Sequence, residues 1–250
     1  MAAALENGRL SACLVGMLLW ITGSAAPAVD YAGDVFSLEL WKLIIPVDDD
    51  GDGIADEVLM PVLRNFEDPG FFHLSKTKDS ILFRVPAASA GAGKPVFRRC
   101  GLRELVKKSE TPAAWGSNDG RVHNMTISFA FNAMPGANSR IIAAGIYAGE
   151  EPVISIGLEK GNLTLARDGL DPLVLEEEYK PGEGIELMII IDHGRIRVLK
   201  DLKEIEEWPL ERGELHFRAG CEVQVESGSA AESTASAEVE IRELFVTHKP

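Results

Sequence analysis

Two short stretches carry the side chains that could do chemistry. The first is HFRAGCEVQ, His216 to Gln224, which places a base, a cation, an acid and an amide at alternate positions. Side chains two apart share one face of a β-strand. His216, Arg218, Glu222 and Gln224 therefore fall on one face with Gly220. Phe217, Ala219, Cys221 and Val223 fall on the other. The apolar face suits a core. The polar face is either a solvated sheet surface or the floor of a site.

The second stretch is DDDGDGIADE, Asp48 to Glu57. Asp48, Asp50 and Asp52 alternate, Gly53 follows, and Asp56 comes just before Glu57. Hard oxygen ligands at alternate positions, with a glycine for a sharp turn, form a Ca²⁺-loop pattern. The twelfth position of such a loop, where a bidentate Glu belongs, is Leu59. Two alternatives stand: a structural Ca²⁺ on Asp48, Asp50, Asp52 and Asp56, or a solvated acidic turn. The chain has no Cys/His zinc spacing, no Gly-x-Ser-x-Gly elbow and no phosphate-binding glycine loop.

The elements that must position these residues read as strands. SILFRVPA, HNMTISFAFNAMP and AEVEIRELFVTH alternate apolar and polar residues, and the apolar run RIIAAGIYAG reads as a strand with them. LEKGNLTL and IIIDHGRIRVL predict tight hairpins, with Gly161-Asn162 and His193-Gly194 as the turn pairs. RELVKKSE allows one helical turn. Many short strands without intervening helices predict an all-β chain, an antiparallel β-sandwich or jelly roll. Ser227 to Ser236, small and polar, predicts a loop before the last strand. No other break appears, so residues 29–250 read as one domain.

Bulk properties narrow the partners. The 250-residue chain has a formal net charge of −14, which disfavours nucleic acid and anionic membranes as partners of its overall field. Residues 1–28 read as an export signal. An apolar run from about Ala12 to Ile21 is too short for an ordinary span, and small residues follow, with cleavage expected near Ala26 or Ala28 and an uncleaved N-terminal anchor as the alternative. The expectation is a secreted or periplasmic monomer, with no membrane contact once the signal is removed.

Several stretches, in order, resemble polysaccharide lyase family 7, the alginate-lyase jelly rolls. LELWKLIIP resembles the family's opening strand, and FRRCGLREL its Arg-Ser/Thr-Glu-Leu-Arg strand. AAGIYAG sits where the family has Gln-Ile-His. HFRAGCEVQ is similar to Tyr-Phe-Lys-Ala-Gly-x-Tyr-x-Gln. The resemblance spans nearly all of residues 29–250. It implies a sandwich with a concave groove sheet, β-elimination on an acidic uronate polysaccharide, and no required cofactor. In that chemistry a cation or amide offsets the uronate carboxylate, a base takes the C5 proton, and an acid protonates the departing O4.

Carried over residue by residue, Arg99 and Arg103 match the family's two arginines and share a strand face with Gly101. The family's Gln and His fall at Gly145 and Tyr147. Its Lys falls at Arg218, its catalytic Tyr at Glu222 and its last Gln at Gln224, while His216 replaces the leading Tyr. The resemblance thus implies substrate binding by Arg99, Arg103, Arg218 and Gln224. Proton transfer would fall to Tyr147, with a phenol pKa lowered by the arginines, to His216, poised near neutrality, and to Glu222. A non-catalytic glycan-binding groove on the same fold is the alternative, and a solvated face with paired charges is the third. The resemblance also places Cys100 and Cys221 on neighbouring strands, facing the core, where a disulfide is one outcome.

Overall fold

Both expected hairpins form, the first turning one residue earlier than expected, at Lys160-Gly161. Lys160 and Gly161 have φ of 50° and 82°, and His193 and Gly194 have 47° and 71°. Positive φ at both central residues matches the turn to the right-handed twist of its strands. The computed structural model describes residues 29–86, 98–134, 139–225 and 236–250. The expected export signal lies outside these residues, as does the Ser227–Ser236 loop up to its last residue.

The described residues form fifteen strands: β1 (Trp41–Ile44), β2 (Glu57–Val58), β3 (Phe72–Leu74), β4 (Ile81–Val85), β5 (Arg99–Glu104), β6 (Val122–Ala133), β7 (Ser139–Ala148), β8 (Glu151–Glu159), β9 (Asn162–Arg167), β10 (Leu170–Glu176), β11 (Ile185–Asp192), β12 (Arg195–Lys200), β13 (Lys203–Pro209), β14 (Leu215–Val225) and β15 (Ala237–Lys249). One sheet has the order β10-β9-β8-β7-β14-β5-β1-β2, the other β13-β12-β11-β6-β15-β4-β3. Every neighbouring pair is antiparallel. This is the expected sandwich. RELVKKSE does not make a helical turn: its first residues end β5 and the rest is a non-helical turn.

One core joins the two sheets. Cys100, Leu102, Ile146, Ile156, Phe217 and Ala219 from the first meet Ile127, Phe129, Ile189, Val239 and Ile241 from the second. Each large apolar side chain buried this way stabilises the fold by about 1.5–3 kcal/mol. Cys100 and Cys221 are register partners on β5 and β14. Both are buried free thiols and form no bridge, and the Cys100 thiol lies 3.1 Å from the Phe71 carbonyl oxygen.

Candidate active site

The site is the face of β5, β14 and β7 turned away from that core. Antiparallel register sets Arg218 opposite Arg103 and Glu222 opposite Arg99. On the other side of β14, His216 lies opposite Tyr147 and Arg218 opposite Gly145. Pairing of β14 with β7 shifts between Ala219 and Glu222. Gly220, at φ 144°, sits in that irregularity, and a Cβ there would lie 2.4 Å from the Gly101 Cα. No side chain fits, so two strands bearing arginines approach closely only through paired glycines.

The polar residues meet. Arg99 donates through Nε to Glu222 (2.8 Å). Tyr147 donates its hydroxyl proton to the same Glu222 oxygen (3.3 Å), and Gln224 donates to the other (3.4 Å). The Arg218 guanidinium lies 4.2 Å from the centroid of the Tyr147 ring, a cation–π contact. Arg218 Nε donates to His216 Nε2 (3.0 Å). A small cleft of about 20 Å³ beside these groups is lined by Arg99, Tyr147, Arg218 and Glu222 among others.

One member was not visible in the sequence. Glu150, in the two-residue turn between β7 and β8, reaches all three arginines. Its Oε1 lies 2.8 Å from both Arg103 and Arg218, and its Oε2 lies 3.1 Å from Arg99. An acid in a hairpin turn is ordinarily solvated, and only tertiary register brings these guanidiniums beneath it. Any signal lay in the turn length: a glycine and one acid are just enough to fold the carboxylate back over β14.

Protonation differs from the sequence expectation at two residues. Burial raises the Tyr147 phenol well above its ordinary value, and the Glu222 carboxylate adds to this, outweighing Arg99 and Arg218. Tyr147 is 1% exposed and holds its proton at neutral pH, so it is an acid and not a ready base. His216 is not poised near neutrality. Burial, then the Arg218 and Arg103 charges, depress it to about 3, and the neutral ring accepts a hydrogen bond from Arg218. Burial works to raise the Glu150 carboxyl, but hydrogen bonds and charge from Arg218 and Arg99 prevail and hold it at about 2.

Gly145 and Tyr147 are coupled. A Cβ on Gly145 would sit 2.3 Å from the Ile154 carbonyl oxygen and 3.1 Å from the Tyr147 ring. The Ile154 carbonyl leaves no room for a side chain at position 145, and the Tyr147 ring crowds the same space. The glutamine that the resemblance places there cannot be restored alone.

A second polar cluster lies on the inward side of β5. Glu104, 1% exposed, accepts from Trp115 Nε1 (3.0 Å) and the Phe217 amide (2.9 Å), and bonds His248 Nε2. His248 Nδ1 meets His123 Nδ1 at 2.6 Å, and His123 Nε2 meets Asp119 at 3.0 Å. His123 is a satisfied buried histidine, as its strand position suggests.

In the acidic turn, Asp48, Asp50 and Asp56 bring carboxylate oxygens within 4.8 Å of one another. Asp52 stands outside this trio and accepts from the Ile54 amide (2.7 Å). Both Asp48 oxygens accept amides, from Gly51 and Gly53. The donors suit a hard cation, but Asp48 is already committed to folding the turn. Among the described residues, no helix is long and apolar enough to cross a membrane.

Comparison with known proteins gives a consistent picture. A family profile described as alginate lyase matches residues 36–248. An alginate lyase of Klebsiella pneumoniae is 33% identical over 106 residues, which are 42% of this chain and 34% of that protein. The match thus spans about a third of that relative's length. Among solved structures, the alginate lyase AlgAT5 of polysaccharide lyase family 7 superposes with a TM-score of 0.76 at 25% identity, covering 88% of this chain and 99% of the other. The alginate lyase from Corynebacterium sp. gives 0.77 at 24% identity with the same coverage. Alginate lyase A1-II', solved in complex with substrate (GGMG), gives 0.68 at 21% identity, covering 89% and 98%.

Proposed function

This chain belongs to the alginate lyase family, polysaccharide lyase family 7, and from that premise we propose that it cleaves a uronate polysaccharide such as alginate by β-elimination. The observation that carries the proposal is the convergence of three guanidiniums, a protonated phenol and a carboxylate on one sheet face. Arg99, Arg103 and Arg218 take the uronate carboxylate. A planar fork suits that group and stays charged, and it offsets the charge that grows as C5 loses its proton.

Glu222 takes the C5 proton, and the electron pair left behind forms the C4=C5 double bond. The C4–O4 bond breaks, and O4 takes the proton of Tyr147. The pair ends as a carboxylic acid beside a phenolate. One proton passed across the 3.3 Å contact restores both. Because acid and base lie side by side, proton and leaving oxygen depart from one face of the sugar ring. Gln224 steadies Glu222. His216, neutral and held by Arg218, orients that arginine instead of shuttling protons.

Burial of the Tyr147 ring favours a second proposal, an acidic-glycan-binding groove without turnover. The two are separated by following the ultraviolet absorbance of unsaturated uronate on alginate and other polyuronates. Absorbance that rises with wild type and not with Tyr147→Phe supports the lyase. Salt-sensitive binding that disappears in Arg103→Ala, with flat absorbance throughout, supports the binding module. Three further parts of the proposal rest on sequence: export through residues 1–28 to a secreted or periplasmic location, a monomeric state, and a structural Ca²⁺ at the Asp48–Asp56 turn with no part in the chemistry.

A further inference from the structure

The arginines of the candidate site already hold a carboxylate, and it belongs to the protein. Glu150 touches Arg99, Arg103 and Arg218 together. Exposure runs in an unusual direction: the Glu150 side chain is 62% exposed, while those of Arg103 and Arg218 are 17% and 6% exposed. A solvent-side acid therefore covers cations set deeper in the sheet. It stands on the shortest of tethers, the turn Gly149-Glu150 between β7 and β8, with Gly149 at φ 62°. Arg218 also donates to the Gly149 carbonyl oxygen (2.9 Å), which fastens the turn to the same guanidinium.

The seat is not saturated. Arg103 Nε and Arg218 Nη1 are buried donors without a hydrogen-bond partner among the described residues. A buried unsatisfied donor costs stability, so a ligand able to engage these groups gains from a defect the resting protein carries. The cleft beside Tyr147 has about 20 Å³, room for about one water. A sugar ring does not fit that space in the resting site.

We propose that Glu150 is an internal stand-in for the substrate carboxylate, occupying the three-arginine seat at rest and expelled by an incoming uronate as the Gly149-Glu150 turn swings outward. This rests on the assignment of the three arginines as the uronate seat. It adds that affinity is set by competition between two carboxylates for one position. A ligand that must displace an internal competitor binds more weakly by the fraction of time the seat is open. Removing the competitor tightens binding. The arginines and Gln224 behave in the opposite way, since truncating a substrate-binding residue weakens binding.

The test uses the full chain and a readout independent of turnover. Thermal unfolding is followed in sodium chloride, sodium glucuronate and glucose at matched ionic strength. Glu150→Ala is expected to melt lower than wild type in chloride and to regain more than wild type in glucuronate, with no gain in glucose. Glu150→Gln, which keeps the shape and loses the charge, is expected to fall between. Arg103→Ala on the Glu150→Ala background is expected to abolish the gain. By calorimetry, short alginate oligomers should bind Glu150→Ala up to about 5-fold more tightly than wild type. Equal melting responses in wild type and Glu150→Ala, or weaker oligomer binding by Glu150→Ala, overturn the proposal. Turnover is scored separately. Tighter binding by Glu150→Ala with no elimination by any variant upholds the stand-in and removes the lyase. Elimination by wild type with no gain in Glu150→Ala does the reverse.

Discussion

Strands β5 and β14 carry a polar cluster on each side of their sheet, and the two manage charge in opposite ways. On the outward side, three guanidiniums face two carboxylates, Glu150 and Glu222, so positive charge is in excess. On the inward side, two carboxylates, Glu104 and Asp119, hold two imidazoles between them. Three hydrogen bonds link that inward chain, and each needs one proton. Consecutive residues, Arg103 and Glu104, feed the two clusters, because successive side chains in a strand point to opposite faces. The outward cluster has excess charge and orphan donors, which a ligand can satisfy. The inward one is closed on itself, which suits a staple between β5 and the last strand.

The largest expected effect breaks the comparison if it fails. Tyr147→Phe removes the only proton that the outward cluster can deliver to O4 in the proposed reaction. Turnover should fall by about 10²–10⁴-fold, the usual contribution of a positioned acid, while oligomer binding is unchanged. Initial rates of unsaturated-uronate formation, set against calorimetric affinity, decide it. Turnover that survives intact would make the outward cluster as structural as the inward one.

A second experiment compares the same substitution on the two faces. Glu104→Ala strands His248, the Trp115 indole N–H and the Phe217 amide, and should cost about 3–5 kcal/mol, as breaking a buried charged network does. Glu150→Ala removes an exposed partner and should cost at most about 1 kcal/mol. Midpoints and slopes from urea unfolding measure both. Similar losses would mean that the outward cluster is also a stability device.

The difference between the faces explains what could be read from sequence. β6, β15 and the two Gly-containing hairpins were legible, because alternation and turn chemistry act over a few residues. The outward row on β14 was legible for the same reason, and so were its partners Arg99 and Arg103 once the resemblance aligned two distant strands. β13 was missed: its sequence, KEIEEWP, is charged on both sides, as an edge strand can be. Its acids are paired from neighbours, Glu206 by Arg167 and Glu207 by Arg195. Glu150 was missed because a turn acid gains its role only from arginines far along the chain, Arg99 and Arg103 on β5, 51 and 47 residues earlier, and Arg218 on β14, later in the sequence. Glu104 shares the core phase of Cys100 and Leu102, and a charge there makes sense only beside His248, 144 residues away. The expected lowering of the Tyr147 pKa failed because proximity to arginines was weighed without burial.

The smallest effect sharpens the comparison through pH. His216 belongs to the outward cluster, yet it is 1% exposed and depressed from 6.5 to about 3. The unfolded chain then binds a proton between those values that the folded chain refuses, so stability rises with pH across the window and is lost on acidification. Between pH 6.5 and about 5.5 this loss amounts to about 1 kcal/mol for one such group. His123 is also lowered, by burial first and with Asp119 opposing, and adds loss of the same sign. Glu150, held at about 2, adds its own only below its ordinary 4.5. His216→Gln keeps an acceptor for Arg218 and removes the titration. Its stability should therefore fall less than wild type's between pH 6.5 and 5.5, by about 1 kcal/mol, with the residual slope belonging to His123. An unchanged slope would mean that the His216 ring can be protonated in place, with Arg218 turning aside, and the arginine seat would then be looser than its hydrogen bonds imply.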